Sequence, residues 1–176
     1  MNKKNLAITA VFSAAAVIFE ALPLKVPFPL LSYLTFDIAE IPIFFLLFYN
    51  GIESALVGSI LLAIVLMGLG SFVPIGPIFK FLAVASGIAG AAPVYKKSFI
   101  GSFITSTLLR VVIMTFANYV LIEFYMPGFL SYVSEFFGFN PLESVMILTA
   151  IFNIIQNSFS ILIAYVLYKK IKSRTG

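Results

Sequence analysis

The chain contains no cysteine and no histidine, and only 10% of its 176 residues are charged. Without cysteine there is no disulfide and no thiolate metal site. Without histidine, the usual zinc ligand and the usual general base are both missing. No P-loop pattern occurs, which removes ATP hydrolysis by that route. No metalloprotease motif and no paired acidic motif of phosphotransfer type is present either. The chain therefore reads as a protein that is not an enzyme and carries no cofactor. A soluble domain has about 25% charged residues. Here 61% of residues are hydrophobic and the mean hydropathy is +1.11. One soluble core of this size would leave large apolar patches in water. The composition points instead to the lipid bilayer as solvent.

What is present is a series of six apolar segments, 6–22, 37–49, 52–69, 78–94, 99–122 and 142–168. A span takes about 20 apolar residues, so the second segment is short. That shortness fits a start below the membrane surface, or a tight pair with the third segment across Asn50-Gly51. The expected fold is an all-α integral membrane protein with six transmembrane helices, one domain over 1–176, placed in the cell membrane. The start, MNKKNLAITAVF, imitates a signal peptide. It runs directly into a Pro-rich stretch and further apolar segments, so it is expected to stay as the first span.

Basic residues give the orientation. Lys3 and Lys4 precede the first span, Lys96 and Lys97 follow the fourth, and Lys169, Lys170, Lys172 and Arg174 follow the sixth. Six spans put all three clusters on one side, which the positive-inside rule makes cytoplasmic, with both termini. The net charge of +4 is thus a topology signal and not a nucleic-acid patch. The opposite loops hold Lys25 as their only basic residue, plus Glu135. Residues 23–36, PLKVPFPLLSYLTF, contain three prolines. They cannot form a regular helix and are too apolar for a solvated linker, so they are expected to fold back as a lid. The loop 68–77 is turn-rich, and 123–141 is aromatic and suited to the membrane interface. No repeat or inverted duplication is visible.

The polar residues inside the spans concentrate in the outer half. Glu20, Asp37, Glu40 and Lys80 lie at outer ends, Arg110 near the middle of the fifth span, and Asn118 and Glu123 further out. Asn153 and Gln156 are three apart, so they share a helix face that continues to Ser160. Glu53, by the inner turn, is the main exception. An unpartnered buried amide costs about 2–7 kcal/mol, and a charge at membrane depth about 2.5–3.5. Such groups pair or line a cavity. Two readings stay open. Glu40 or Asp37 can form structural ion pairs with Arg110 or Lys80, the amides serving as helix-to-helix glue. Alternatively the cluster is a capture site open to the exterior. Ala7, Ala10 and Ala14 recur on one face of the first span, and Ala10-x-x-x-Ala14 permits close helix approach, as does Ser54-x-x-x-Gly58 in the third. The alanine stripe lies away from the polar cluster, which suggests separate surfaces for a ligand and a protein partner.

Four motifs occur in order: Asp37-x-x-Glu40-Ile41-Pro42 after the Pro-rich loop, Gly76-Pro77-x-x-Lys80-Phe81-Leu82-Ala83, Asn118-Tyr119, and Phe152-Asn153-Ile154-Ile155-x-x-Ser158. With the length, span count and loop pattern, they make the chain resemble the substrate-binding S components of energy-coupling factor (ECF) transporters, closest to the riboflavin-binding group. The resemblance implies a six-helix subunit that captures a vitamin from outside. It also implies as partners a transmembrane coupling protein and two cytoplasmic ATPases. The family's docking motif falls on Ala10 and Ala14, and its lid on 23–36. Asn118 and Asn153 match the amides that bond the ligand in riboflavin binders. Gln156, Lys80, Glu40, Tyr33 and Thr35 complete the expected ligand set. Two positions depart from the riboflavin pattern: Gln156 stands where Lys is common, and Lys80 where Asn is common. Riboflavin is thus the expected ligand, with another vitamin such as pantothenate the alternative. Outside the resemblance, the rivals are a structural membrane protein whose amides are only glue, and a gradient-driven carrier using Glu40 or Asp37 as a proton site.

Overall fold

The computed structural model describes residues 2–69, 72–133 and 138–175. Glu135 of the aromatic loop therefore lies outside the described residues. Six α-helices are present among them: α1 (Lys3–Ala21), α2 (Glu40–Tyr49), α3 (Ile52–Leu69), α4 (Ile75–Ala91), α5 (Phe99–Val120) and α6 (Pro141–Thr175). Helix starts follow local chemistry. The Asn2 side chain accepts from the Asn5 N–H, and Ser98 accepts from Gly101. At α6, Asn140 accepts from the Glu143 N–H at 2.9 Å, while the Glu143 carboxylate accepts from the Asn140 N–H at 3.2 Å. That reciprocal pair is a capping box, with Pro141 at the first helical position where its missing N–H costs nothing.

Among the described residues, four helices are long and apolar enough to cross a membrane: Lys3–Ala21, Ile52–Leu69, Phe99–Tyr125 and Pro141–Arg174. The α2 and α4 helices are shorter. At 1.5 Å per residue, the ten residues of α2 reach roughly half of a 30 Å hydrocarbon core. Its apolar run has a different purpose from lipid contact. Every residue from Glu40 to Phe48 is buried, packed against α1, α3 and α6. The other helices form an arc, α1–α3–α4–α5–α6, around it. The α4 helix starts at Ile75, three residues before the apolar run suggests, because Pro77 falls in the first turn, where no N–H is needed.

Close approach is built with glycine. A Cβ at Gly90 would stand 2.4 Å from the Thr105 carbonyl oxygen, so α4 and α5 touch backbone to backbone there. Gly58 receives Ile43, Leu46 and Ser13, so the Ser54/Gly58 pair is spent inside the bundle. Ala7, Ala10 and Ala14, in contrast, are exposed on α1.

The proline-rich segment forms a two-stranded antiparallel hairpin, β1 (Val26–Phe28) and β2 (Leu31–Phe36). Prolines exclude helix but tolerate an edge strand. Phe28 and Leu31 are buried together with Ile122, Val145, Leu148 and Phe152. Phe152 of α6 lies 4.8 Å from the Phe36 ring and 5.8 Å from Phe28, centroid to centroid. The hairpin therefore rests on the ends of α5 and α6. Beyond α5 the chain continues as a π turn, Leu121–Tyr125, and a 3-10 turn, Pro127–Tyr132. The lysine clusters lie at the opposite end. Lys96, Lys97, Lys169 and Lys172 line one cavity there, and the Asn50 amide donates to the Asn5 carbonyl at 3.1 Å, which brings the start of α1 to the same end.

Candidate functional site

Under the hairpin, charged side chains from α1, α2, α4 and α5 meet. Arg110 is 1% exposed. Its guanidinium donates to both carboxylate oxygens of Glu40, at 2.5 and 3.0 Å, and its Nε donates to the Asn153 Oδ1 at 2.9 Å. Such a bidentate fork is the strong form of ion pair. Lys80 donates to Asp37 at 2.5 Å and to Glu40 at 3.2 Å, with Glu20 at 3.7 Å. Glu20 in turn pairs with Lys25 at 2.5 Å. Glu20, Asp37 and Glu40 thus face Lys25, Lys80 and Arg110, and the formal charges cancel. Burying charge in hydrocarbon is tolerable only with this kind of mutual compensation.

A cavity of about 230 Å³ opens on this network. Its lining is mixed: Glu20, Asp37, Lys80 and Asn153 are polar, and Phe72, Phe79, Met114 and Phe152 are apolar. Tyr33 and Thr35 of β2 form part of its cover. The Oε2 atom of Glu20 is buried and makes no hydrogen bond among the described residues. Phe72 at the rim has φ +60°, a conformation that costs a bulky side chain about 1–3 kcal/mol.

Over its full length the chain is similar to known transport proteins. It is 30% identical over 181 residues to the riboflavin transporter RibU of Staphylococcus aureus (strain TCH60), across 97% of this chain and 91% of that protein. The solved structure of the S component of a bacterial ECF transporter superposes with a TM-score of 0.72 at 25% identity, covering 98% of both chains. The chain belongs to the S-component family of ECF transporters. No protein-family model matches it.

In this S component the residues singled out from sequence separate into two groups. Glu40, Lys80, Asn153, Tyr33 and Thr35 line the cavity. Asn118 and Gln156 do not. Asn118 is fully buried; its amide donates to the Met114 carbonyl at 2.8 Å, and its oxygen accepts from the Tyr33 hydroxyl at 3.1 Å. That last bond ties β2 to α5. The loss of hydration around the Tyr33 hydroxyl pushes its pKa up to about 12, so it stays a neutral donor throughout the physiological range. Gln156 donates to the Asp37 carbonyl at 2.9 Å and to Ser160 at 3.2 Å, and accepts from the Asp37 N–H at 3.4 Å. It clamps the backbone at the entry to α2 from α6. Three residues along a helix turn the direction by about 60°, enough to aim Asn153 at Arg110 and Gln156 at Asp37.

Glu20, Lys25, Asp37 and Arg110 also line the cavity. Their depth in the sequence signals a polar cluster, but not which members face the open space. Asn157 is a further amide on α6. It is fully buried and donates to Ser106 at 3.1 Å and Thr107 at 3.0 Å, joining α6 to α5. Its i+4 relation to Asn153 is the signal that marks it.

Proposed function

We propose that this S component captures riboflavin from outside the cell, in the cavity beneath the hairpin, and passes it to an ATP-driven ECF module in the plasma membrane. The observation that carries the reading is a cavity lined both by aromatic side chains and by charged side chains whose formal charges cancel. A flavin has a flat aromatic ring system and a neutral polyhydroxyl chain. The rings suit Phe72, Phe79 and Phe152, and the hydroxyls suit Glu20, Lys80 and Asn153. The Glu20 Oε2 accepts no hydrogen bond among the described residues and has the Lys80 ammonium nearby, at 3.7 Å, so it can accept from one of them. A carboxylate vitamin such as pantothenate would need surplus positive charge, and the network has none to spare. The likeness to RibU supports the same ligand.

The cavity of about 230 Å³ is smaller than the roughly 300–1,000 Å³ of ordinary ligand sites. Binding therefore requires the hairpin to lift, with Tyr33–Asn118 as its latch. Asn118 acts through that latch and Gln156 through Asp37, both positioning the site. The protein catalyses no reaction; its partners are the coupling protein and two ATPases, reached through the exposed Ala10 and Ala14 face of α1. Lys3, Lys96 and Lys169 mark the cytoplasmic end.

Purified protein titrated with riboflavin tests this directly. The chain has no tryptophan, so the flavin's own emission is the signal. Saturable binding at one flavin per chain is expected. No binding of riboflavin, with saturable binding of pantothenate, would overturn the ligand assignment.

A further inference from the structure

A second and larger cavity, about 730 Å³, opens at the lysine-rich end of the bundle. It is built from three places: the Asn50-Gly51 turn, the segment between α4 and α5, and the last turns of α6. Lys96, Lys97, Lys169 and Lys172 line it, and no carboxylate does among the described residues. Ammonium groups such as those of Lys96, Lys97 and Lys169 gathered around one space raise its positive potential and favour an anion there.

The walls between the lysines are aromatic. Phe99 stacks on Tyr165 at 3.9 Å between centroids. Lys96 lies 5.6 Å from the Tyr95 ring and Lys169 5.7 Å from Tyr165, which holds their charges toward the cavity rim. Tyr95 reaches across to Gly51; a Cβ there would sit 3.3 Å from its hydroxyl, and Gly51 has φ +96°. The turn is thereby fixed as one wall. Ser98 opens the 22-residue α5 helix into the same space, adding the partial positive charge and N–H groups of a helix start.

We infer that this cavity binds a phosphate-bearing anion. A volume with room for a lipid headgroup, a cluster of lysines, tyrosine hydroxyls and a helix N-terminus suit such a group. Basic pockets between membrane helices at their cytoplasmic ends take anionic lipid headgroups, and the cavity sits at that level of the bundle. The inference does not depend on which vitamin binds at the other end.

The test uses the whole chain in nanodiscs of phosphatidylcholine, with or without phosphatidylglycerol, and native mass spectrometry of the lipid that stays bound. Inorganic phosphate added to detergent-solubilised protein forms the second arm, read by thermal shift. Each lysine near a membrane surface contributes about 1 kcal/mol to anion binding, which is about fivefold. Lys97→Gln should weaken phosphatidylglycerol retention about fivefold, and the Lys97→Gln/Lys169→Gln pair about thirtyfold. Lys3→Gln/Lys4→Gln neutralises the same end outside the cavity and should leave retention unchanged. Selective retention of phosphatidylglycerol with no phosphate effect identifies a lipid site. Stabilisation by both identifies a general phosphate site. Equal loss in both double variants, or no preference for phosphatidylglycerol, overturns the inference. Gel filtration and thermal melts confirm that each variant is folded.

Discussion

The Glu40–Arg110 pair invites a double-mutant test, because both partners are fully buried and bonded on two sides. Replacing Arg110 with Met leaves Glu40 with Lys80 at 3.2 Å and Ser160 at 3.4 Å. Lys80 already serves Asp37 and Glu20, so the network then holds three carboxylates against two cations. Breaking one side of a buried pair costs about 3–5 kcal/mol. At about 2–4 °C per kcal/mol for a chain of this length, Arg110→Met should lower Tm by roughly 6–20 °C. Glu40→Gln alone strands the guanidinium beside Asn153 and should cost a similar amount. The double variant Glu40→Gln/Arg110→Met restores the balance of Glu20 and Asp37 against Lys25 and Lys80. It should be more stable than Arg110→Met by at least about 2 kcal/mol, or roughly 4 °C or more. Melting curves of the four proteins in detergent, followed by size exclusion after heating, measure this. A double variant whose Tm loss equals the sum of the single losses would refute the coupling, and with it the view that charge balance governs this site.

Tyr33→Phe removes the hydroxyl that ties β2 to Asn118. A net hydrogen bond is worth about 1 kcal/mol, so stopped-flow release of riboflavin should speed up about fivefold with little change in Tm. Gly90→Ala puts a Cβ 2.4 Å from the Thr105 carbonyl oxygen and should destabilise by about 3 kcal/mol, whereas Gly68→Ala meets nothing within 4 Å and should stabilise α3 by up to about 1 kcal/mol; thermal melts separate the two. Ala10→Trp and Ala14→Trp place bulk on an exposed face and should block copurification with the coupling protein while leaving riboflavin titrations unchanged.

The hairpin shows where a sequence reading stops. Three prolines in residues 23–36 exclude a helix, and their apolar neighbours exclude a free linker. Neither fact selects strands. The choice was made by Phe152, whose ring gives Phe28 and Phe36 a surface to close on. The α2 helix makes the converse point. Its hydrophobicity resembles that of a lipid-facing span, because burial by protein and burial by lipid leave the same mark on composition. Only the ten-residue length hints that it is surrounded by other helices.

Composition and the order of apolar and basic segments by themselves determine a membrane bundle with its lysines at one end and its polar residues toward the other. Those are one-dimensional properties, set by how far each residue lies along a helix. The partners were decided in three dimensions. Arg110 is 43 residues from Asn153 and 70 from Glu40, and Gln156 is 119 from Asp37. Which of two neighbouring amides bonds Arg110, and which instead clamps the Asp37 backbone, depends on the rotation of α6 against α2 and α5. Packing at contacts such as Gly87 against Phe44 and Asn157 sets that rotation, and no periodicity in the chain records it.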